Sequence, residues 1–224
     1  MAATNRKPDF YVVGIGASAG GLDALRTFFS RMPEAPGFAC VVVVHLSPEH
    51  ESHLVELLQP YTRMPVCQVV QTTALEPNHV YVIPPNANLN SIDTHLRLSE
   101  LEVRRVERAP IDHFLRTLAE THGETAVGVI LSGAGSDGAL GLRQVKEFGG
   151  LTIAQDPREA EYASMPQSAI MTGAVDLVVA LRDMADEITA YCATRPKVSA
   201  PGEDDLVAEN EASLLEKILG EVLA

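Results

Sequence analysis

The 224 residues are 46% hydrophobic and 21% charged, a globular composition with length for one large domain and an appendage. A formal net charge of −13 argues against a nucleic-acid partner, because binding a phosphate backbone relies on Lys and Arg. Cys40, Cys67 and Cys192 are too widely spaced for a disulfide framework or a metal-binding Cys pair, which fits a reducing compartment.

In chain order, MAATNRKPDF lacks the apolar core of a signal peptide, and the longest apolar run, FACVVVV, is too short to span a bilayer. A cytoplasmic protein with no membrane insertion is expected. YVVGI is a short apolar run ending in glycine, as buried parallel strands end. LDALRTFFSRM follows as a helix, with Leu22, Leu25, Phe28 or Phe29, and Met32 on one face. FACVVVV (38–44) is a second buried strand, stopped at His45. ESHLVELLQ reads as a helix with Leu54, Leu57 and Leu58 inward, and PVCQVV as a third strand. Cys40 and Cys67, both in apolar strand-like runs, read as small core residues. HVYVIPP and HLRLSE, either side of NANLNSID, predict a hairpin-like excursion, and RRVERA a loop. PIDHFLRTLAETHG predicts a helix, with Pro110 in the first turn, Ile111, Phe114, Leu115 and Leu118 on one face, and Gly123 at its end. The strand AVGVIL then runs into the glycine-rich SGAGSDGALG and the helix LRQVKEF. LTIAQ (strand), SMPQSAIMTG (short helix), DLVV (strand) and RDMADEITAYC (helix) complete the alternation.

Strand–helix alternation with continuously apolar strands predicts an α/β fold: a doubly wound, mostly parallel sheet with helices on both faces and a small antiparallel hairpin excursion. This domain is expected over 9–193. Residues 194–212 read as an acidic linker, and from residue 203 on, seven acids face the single base Lys217. SLLEKILGEVLA (213–224) reads as an amphipathic helix, the possible start of a following module.

The first strand–helix junction satisfies two patterns at once. Gly14-Ile15-Gly16-Ala17-Ser18-Ala19 fits the dinucleotide fingerprint, and Gly16-Ala17-Ser18-Ala19-Gly20 fits the nucleophile elbow. A dinucleotide site needs an acid at the tip of the second strand to hold the ribose hydroxyls. The residue there is His45, which cannot offer the paired acceptors a diol wants. A hydrolase uses the same histidine well. In an open parallel sheet the strand C-terminal ends share one rim, so Ser18 after strand one, His45 after strand two and Asp137 after the late strand 126–131 meet at one edge. These are the members of a triad: nucleophile, general base, and the acid that fixes the base's tautomer. Gly16 and Gly20 would expose the hydroxyl, and backbone N–H groups near the start of the helix and in the Gly133–Gly135 loop would serve an oxyanion. The order Ser…His…Asp differs from that of ordinary α/β-hydrolases, Ser…Asp…His. The default reading of Asp137 alone is a helix N-cap. His50 and His53, near Glu49 and Glu51, lack zincin spacing and read as a solvated helix face; Met165 reads as packing. Neither a metal nor a cofactor is expected.

The segments VVGIGASAGGLDAL, VVVVHLSPEH, VYVIPPN, GVILSGAGSDGALGL, TIAQDPREAEYASMPQSAI and GAVDLV resemble, collinearly from about residue 9 to 193, the catalytic domain of chemotaxis protein-glutamate methylesterases of the CheB type. The resemblance implies a Ser18–His45–Asp137 triad and oxyanion donors at the backbone of Ala19 and Ala134. It implies hydrolysis of glutamyl methyl esters on chemoreceptor helices, with deamidation of glutamines as a second activity. Its implied partners are methylated receptor or signalling-protein helices, with a fused or associated methyltransferase module as neighbour, because the variant sequences look like esterase modules of fused signalling proteins. Three positions depart from the common family form: Ala19 for threonine, Ala134 for methionine and Gln167 for arginine. They keep open a second expectation, a non-catalytic module that binds a signalling partner.

Overall fold

The structure, a computed structural model, describes residues 9–45, 53–85, 87–99 and 109–194. The chain opens with β1 (Val12–Ala17), α1 (Gly21–Arg31), β2 (Ala39–Val44) and α2 (Leu54–Leu58). Four short strands follow, β3 (Val66–Gln68), β4 (Thr72–Ala74), β5 (Val80–Val82) and β6 (Asn88–Ile92), then β7 (His95–Ser99). The second half alternates: α3 (Pro110–His122), β8 (Ala126–Ile130), α4 (Ala139–Glu147), β9 (Leu151–Gln155), α5 (Ser164–Met171), β10 (Leu177–Val179) and α6 (Leu181–Thr194).

Seven strands form one parallel sheet in the order β10-β9-β8-β1-β2-β5-β3. Its central strands are apolar throughout because both faces are covered. On one face Val13 and Ile15 of β1 join Leu25, Phe28 and Phe29 of α1 and Met184 and Ile188 of α6. On the other, Val12 shares a cluster with Ile111, Phe114, Leu115 and Leu118 of α3 and Leu142 and Val145 of α4. Gly14 and Gly16 share this second face with Val12, alternating with Val13 and Ile15 on the first. A Cβ at Gly14 would come 2.8 Å from Leu118 and 2.9 Å from Leu115, and one at Gly16 would sit 2.4 Å from Ile111 Cγ2. The first two glycines of the fingerprint therefore serve the close approach of α3 to β1.

Three expectations are corrected. The run HVYVIPP is no hairpin arm: β5 lies in the parallel sheet between β2 and β3. The excursion is a separate antiparallel sheet, β4-β7-β6, in which NANLNSID supplies β6 and the segment before β5 supplies β4. It packs on α3 through Leu89 and Leu96, and the buried Ser91 Oγ lies 2.7 Å from His122 Nε2. Cys67 is exposed, because β3 is an edge strand and has a neighbour on one side only. Cys40 is buried as expected, and that burial raises its thiol pKa far above the ordinary value. Leu57 is exposed, since α2 is short and turns only Leu54 and Leu58 inward. Thr194 ends α6; the rest of the 194–212 linker, the 213–224 helix, His50, Glu49, Glu51 and residues 104–108 of the RRVERA loop lie outside the described residues. Among the described residues no helix is long and apolar enough to cross a membrane.

Candidate active site

β1, β2 and β8 are neighbours at the centre of the sheet. From β1 the chain first builds outward on one side and later, from β8, on the other. Connections diverge at such a switch point and leave a crevice at the strand C-terminal ends. Ser18 follows β1, His45 follows β2, and Asp137 lies in the turn between β8 and α4.

The three side chains meet there. His45 Nδ1 lies 3.4 Å from Ser18 Oγ, and His45 Nε2 lies 2.6 Å from Asp137 Oδ2. A carboxylate only accepts, so Nε2 donates to Asp137 and leaves the Nδ1 lone pair to accept from the Ser18 hydroxyl. In the chymotrypsin-type triad the ring nitrogens are used the other way round. The Asp137 side chain is 7% exposed and that of His45 35%, so the acid is shielded while water can reach the imidazole.

Asp137 is held by a helix other than its own. Its Oδ2 accepts the Ile111 N–H at 3.0 Å and its Oδ1 the Asp112 N–H at 2.8 Å. α3 has Ala109 at its N-cap and no side-chain cap of its own, so Asp137 satisfies two of its free donors and sits at the positive end of its dipole. Asp112 in turn accepts the Gly141 N–H at 2.7 Å in the first turn of α4. Burial raises the Asp112 pKa above the ordinary carboxylate value, the Asp137 charge adds to the rise, and the Gly141, Gly138 and Leu140 N–H groups offset part of it.

The turn that carries Ser18 is equally constrained. The Ser18 N–H donates to Ser132 O at 3.0 Å and the Gly21 N–H to Ser18 O at 2.8 Å. Gly20 has φ +68° and would bring a Cβ 2.7 Å from Glu161 Oε2, so glycine is required there. With the Ser18 N–H engaged, the Ala19 amide directly after it donates to no acceptor among the described residues, and neither does that of Gly20. In the facing loop Gly133 donates to Tyr162 O and Gly135 to Ser164 Oγ, which leaves the Ala134 amide between them without a partner among the described residues. Met165 is buried with its sulfur against Gly133, and Gln167 is exposed. His53 is largely exposed, 4.0 Å from Glu56. Among the described residues no group of three or more His, Cys, Asp or Glu side chains converges as metal ligands.

Four polar residues of this neighbourhood were not singled out in the sequence: Asp112, Ser132, Gln155 and Ser164. Only Gln155 carried a local signal, a polar residue at the tip of an apolar strand. The others act through partners distant in the chain.

Residues 13–188 match the family model described as CheB methylesterase. The chain belongs to the CheB methylesterase family. Among its relatives in this family, a putative protein-glutamate methylesterase/protein-glutamine glutaminase of Leptospira interrogans is 35% identical over 80% of this chain and 93% of its own length. Protein-glutamate methylesterase/protein-glutamine glutaminase 2 of Syntrophus aciditrophicus is 32% identical over 84% of this chain, which spans 54% of that relative. An uncharacterized 104.1 kDa protein of Rhodobacter capsulatus is 40% identical over 65% of this chain, a segment that makes up 15% of that protein. The crystal structure of the Thermotoga maritima CheB methylesterase catalytic domain superposes with a TM-score of 0.74 at 26% identity, over 81% of this chain and 98% of that one. The parallel sheet with its small antiparallel companion is therefore the fold of the CheB catalytic domain.

Proposed function

We propose that residues 9–193 form a serine esterase that hydrolyses glutamyl γ-methyl esters on chemoreceptor-like signalling helices in the cytoplasm, with deamidation of glutamines as a second activity. The observation that carries this reading is the continuous path Ser18 Oγ, His45 Nδ1, His45 Nε2, Asp137 Oδ2, with steps of 3.4 and 2.6 Å across its two hydrogen bonds. The names of the methylesterase/glutaminase relatives support the choice of substrate class.

His45 Nδ1 takes the hydroxyl proton as Ser18 Oγ attacks the ester carbonyl. The imidazolium that forms is stabilised by the Asp137 carboxylate through Nε2. The Ala19 and Ala134 amides receive the oxyanion. Nδ1 returns the proton to the departing methoxide, and methanol leaves. Water, deprotonated by the same nitrogen, then attacks the acyl-enzyme and frees the glutamate. A glutamine side chain follows the same course with ammonia as the leaving group. A methyltransferase module, fused or associated, would supply the esters that this site consumes.

The test is methanol release from a methylated receptor fragment. Ser18→Ala is expected to lower kcat by at least about 10³-fold. Equal activity of the two proteins overturns the assignment of Ser18. Absence of both methanol release and Ser18 labelling by a fluorophosphonate in the unaltered protein favours a non-catalytic, partner-binding module.

A further inference from the structure

The proposed oxyanion site has two halves on separate loops. The Ala19 amide belongs to the nucleophile turn, and the Ala134 amide to the loop between β8 and α4. Donors of this kind act only when held within about half an ångström of their productive position. The Ser132 hydroxyl links the two segments, and the Ser164 hydroxyl holds the second of them from α5.

Ser132 is 1% exposed, and all four of its backbone and hydroxyl hydrogen-bonding roles are filled. Its carbonyl accepts the Ser18 N–H at 3.0 Å, and its hydroxyl donates to Ala19 O at 3.0 Å. The same hydroxyl accepts the Tyr162 N–H at 3.0 Å, and the Ser132 N–H donates to the buried Gln155 Oε1 at 2.8 Å. The nucleophile turn, the β9 tip and the loop before α5 are thereby tied to one residue.

Ser164 straddles Ala134. Its hydroxyl donates to Gly133 O at 3.2 Å and accepts the Gly135 N–H at 3.1 Å. The first turns of α5 reinforce the clamp: the Met165 N–H donates to Gly133 O at 3.0 Å and the Ser168 hydroxyl to Gly135 O at 3.3 Å. An alanine side chain gives Ala134 little packing of its own with which to fix its amide. The α5 clamp supplies the constraint from outside the loop.

We propose that Ser132 and Ser164 are positioning residues that together set the Ala134 amide at its working distance from Ser18 and the Ala19 amide. Neither touches the substrate; each acts through the backbone it holds. The proposal rests on the assignment of Ser18 as nucleophile and of the two amides as oxyanion donors.

The experiment uses the full chain and a helical peptide bearing one glutamyl γ-methyl ester. kcat and KM for methanol release are measured for the unaltered protein, Ser18→Ala, Ser132→Ala, Ser164→Ala and Ser164→Thr. The rate of Ser18 labelling by a fluorophosphonate, whose phosphoryl oxygen uses the same donors, is the second readout and needs no cognate substrate. Loss of either hydroxyl is expected to lower kcat and the labelling rate about tenfold while KM stays within about twofold, and Ser164→Thr is expected to recover most of the loss. Activity in Ser18→Ala equal to that of the unaltered protein removes the nucleophile and the brace together. An inactive Ser18→Ala beside a Ser164→Ala with unaltered kcat and labelling rate overturns the brace alone. Ser164 is exposed, so Ser164→Ala decides the matter even where Ser132→Ala does not fold.

Discussion

A serine hydroxyl is a weak nucleophile at neutral pH, so what sets Ser18 apart is the imidazole 3.4 Å away. In the proposed mechanism that imidazole is useful only in one tautomer, which Asp137 selects by accepting the Nε2 proton. Asp137→Asn removes the charge that stabilises imidazolium and offers His45 a donor or a weaker acceptor. Its kcat is expected to fall by about 10³- to 10⁴-fold in a methanol-release assay. The same substitution leaves one oxygen to accept from the Ile111 and Asp112 N–H groups, so its cost in thermal or urea unfolding is expected to be about 1 kcal/mol. Ser18, His45 and Asp137 were legible in the sequence because each follows an apolar strand run. Ser132 was not, because its meaning lies in a contact with Ala19, 113 residues away along the chain.

β1 and β2 carry Ser18 and His45, and Asp137 is held by α3 and α4, which cap each other: Asp137, just before α4, serves the N-terminus of α3, and Asp112 of α3 serves that of α4. Asp112 has a pKa raised on folding from its ordinary 3.8, so folding favours its protonated form. Its contribution to stability is full below that ordinary value and is lost as pH rises through the higher folded value. Asp112→Asn keeps an oxygen for the Gly141 N–H and does not titrate. Its melting temperature is expected to gain on that of the unaltered protein as pH rises from about 3 to 7; a difference independent of pH contradicts the assignment. α3 also needs the bare backbone of β1. Gly16→Ala puts a Cβ 2.4 Å from Ile111 Cγ2, and an overpacking cost of about 1–3 kcal/mol in denaturant unfolding is expected. The helix itself was legible from its apolar face and Pro110. Its cap was not, since Ala109 gives no local sign of the carboxylate that serves it.

At the scale of the whole molecule, the sheet is most enclosed where the site is. β1, β2 and β8 have a strand on each side and helices on both faces, whereas β10 is an edge strand with Leu177 and Val178 exposed. Native-state hydrogen exchange is expected to be slowest at the amides of β1, β2 and β8 and faster in β10 and β3. Uniform protection across all seven strands contradicts this gradient. The rigid centre suits a site whose three side chains hang from separate strand ends.

The sequence by itself determined the alternation of strands and helices, the burial of the central strands, and the convergence of Ser18, His45 and Asp137 on one rim. These follow from local periodicity, turn residues and the shared polarity of parallel strands. Only the tertiary structure decided that Val80–Val82 joins the parallel sheet, that Cys67 lies outside, which ring nitrogen of His45 faces Ser18, and which nearby amides find no acceptor among the described residues. Those outcomes depend on pairing between segments far apart in the chain. A strand of three residues reads alike in either sheet, and an amide reads alike whether or not a distant carbonyl claims its proton.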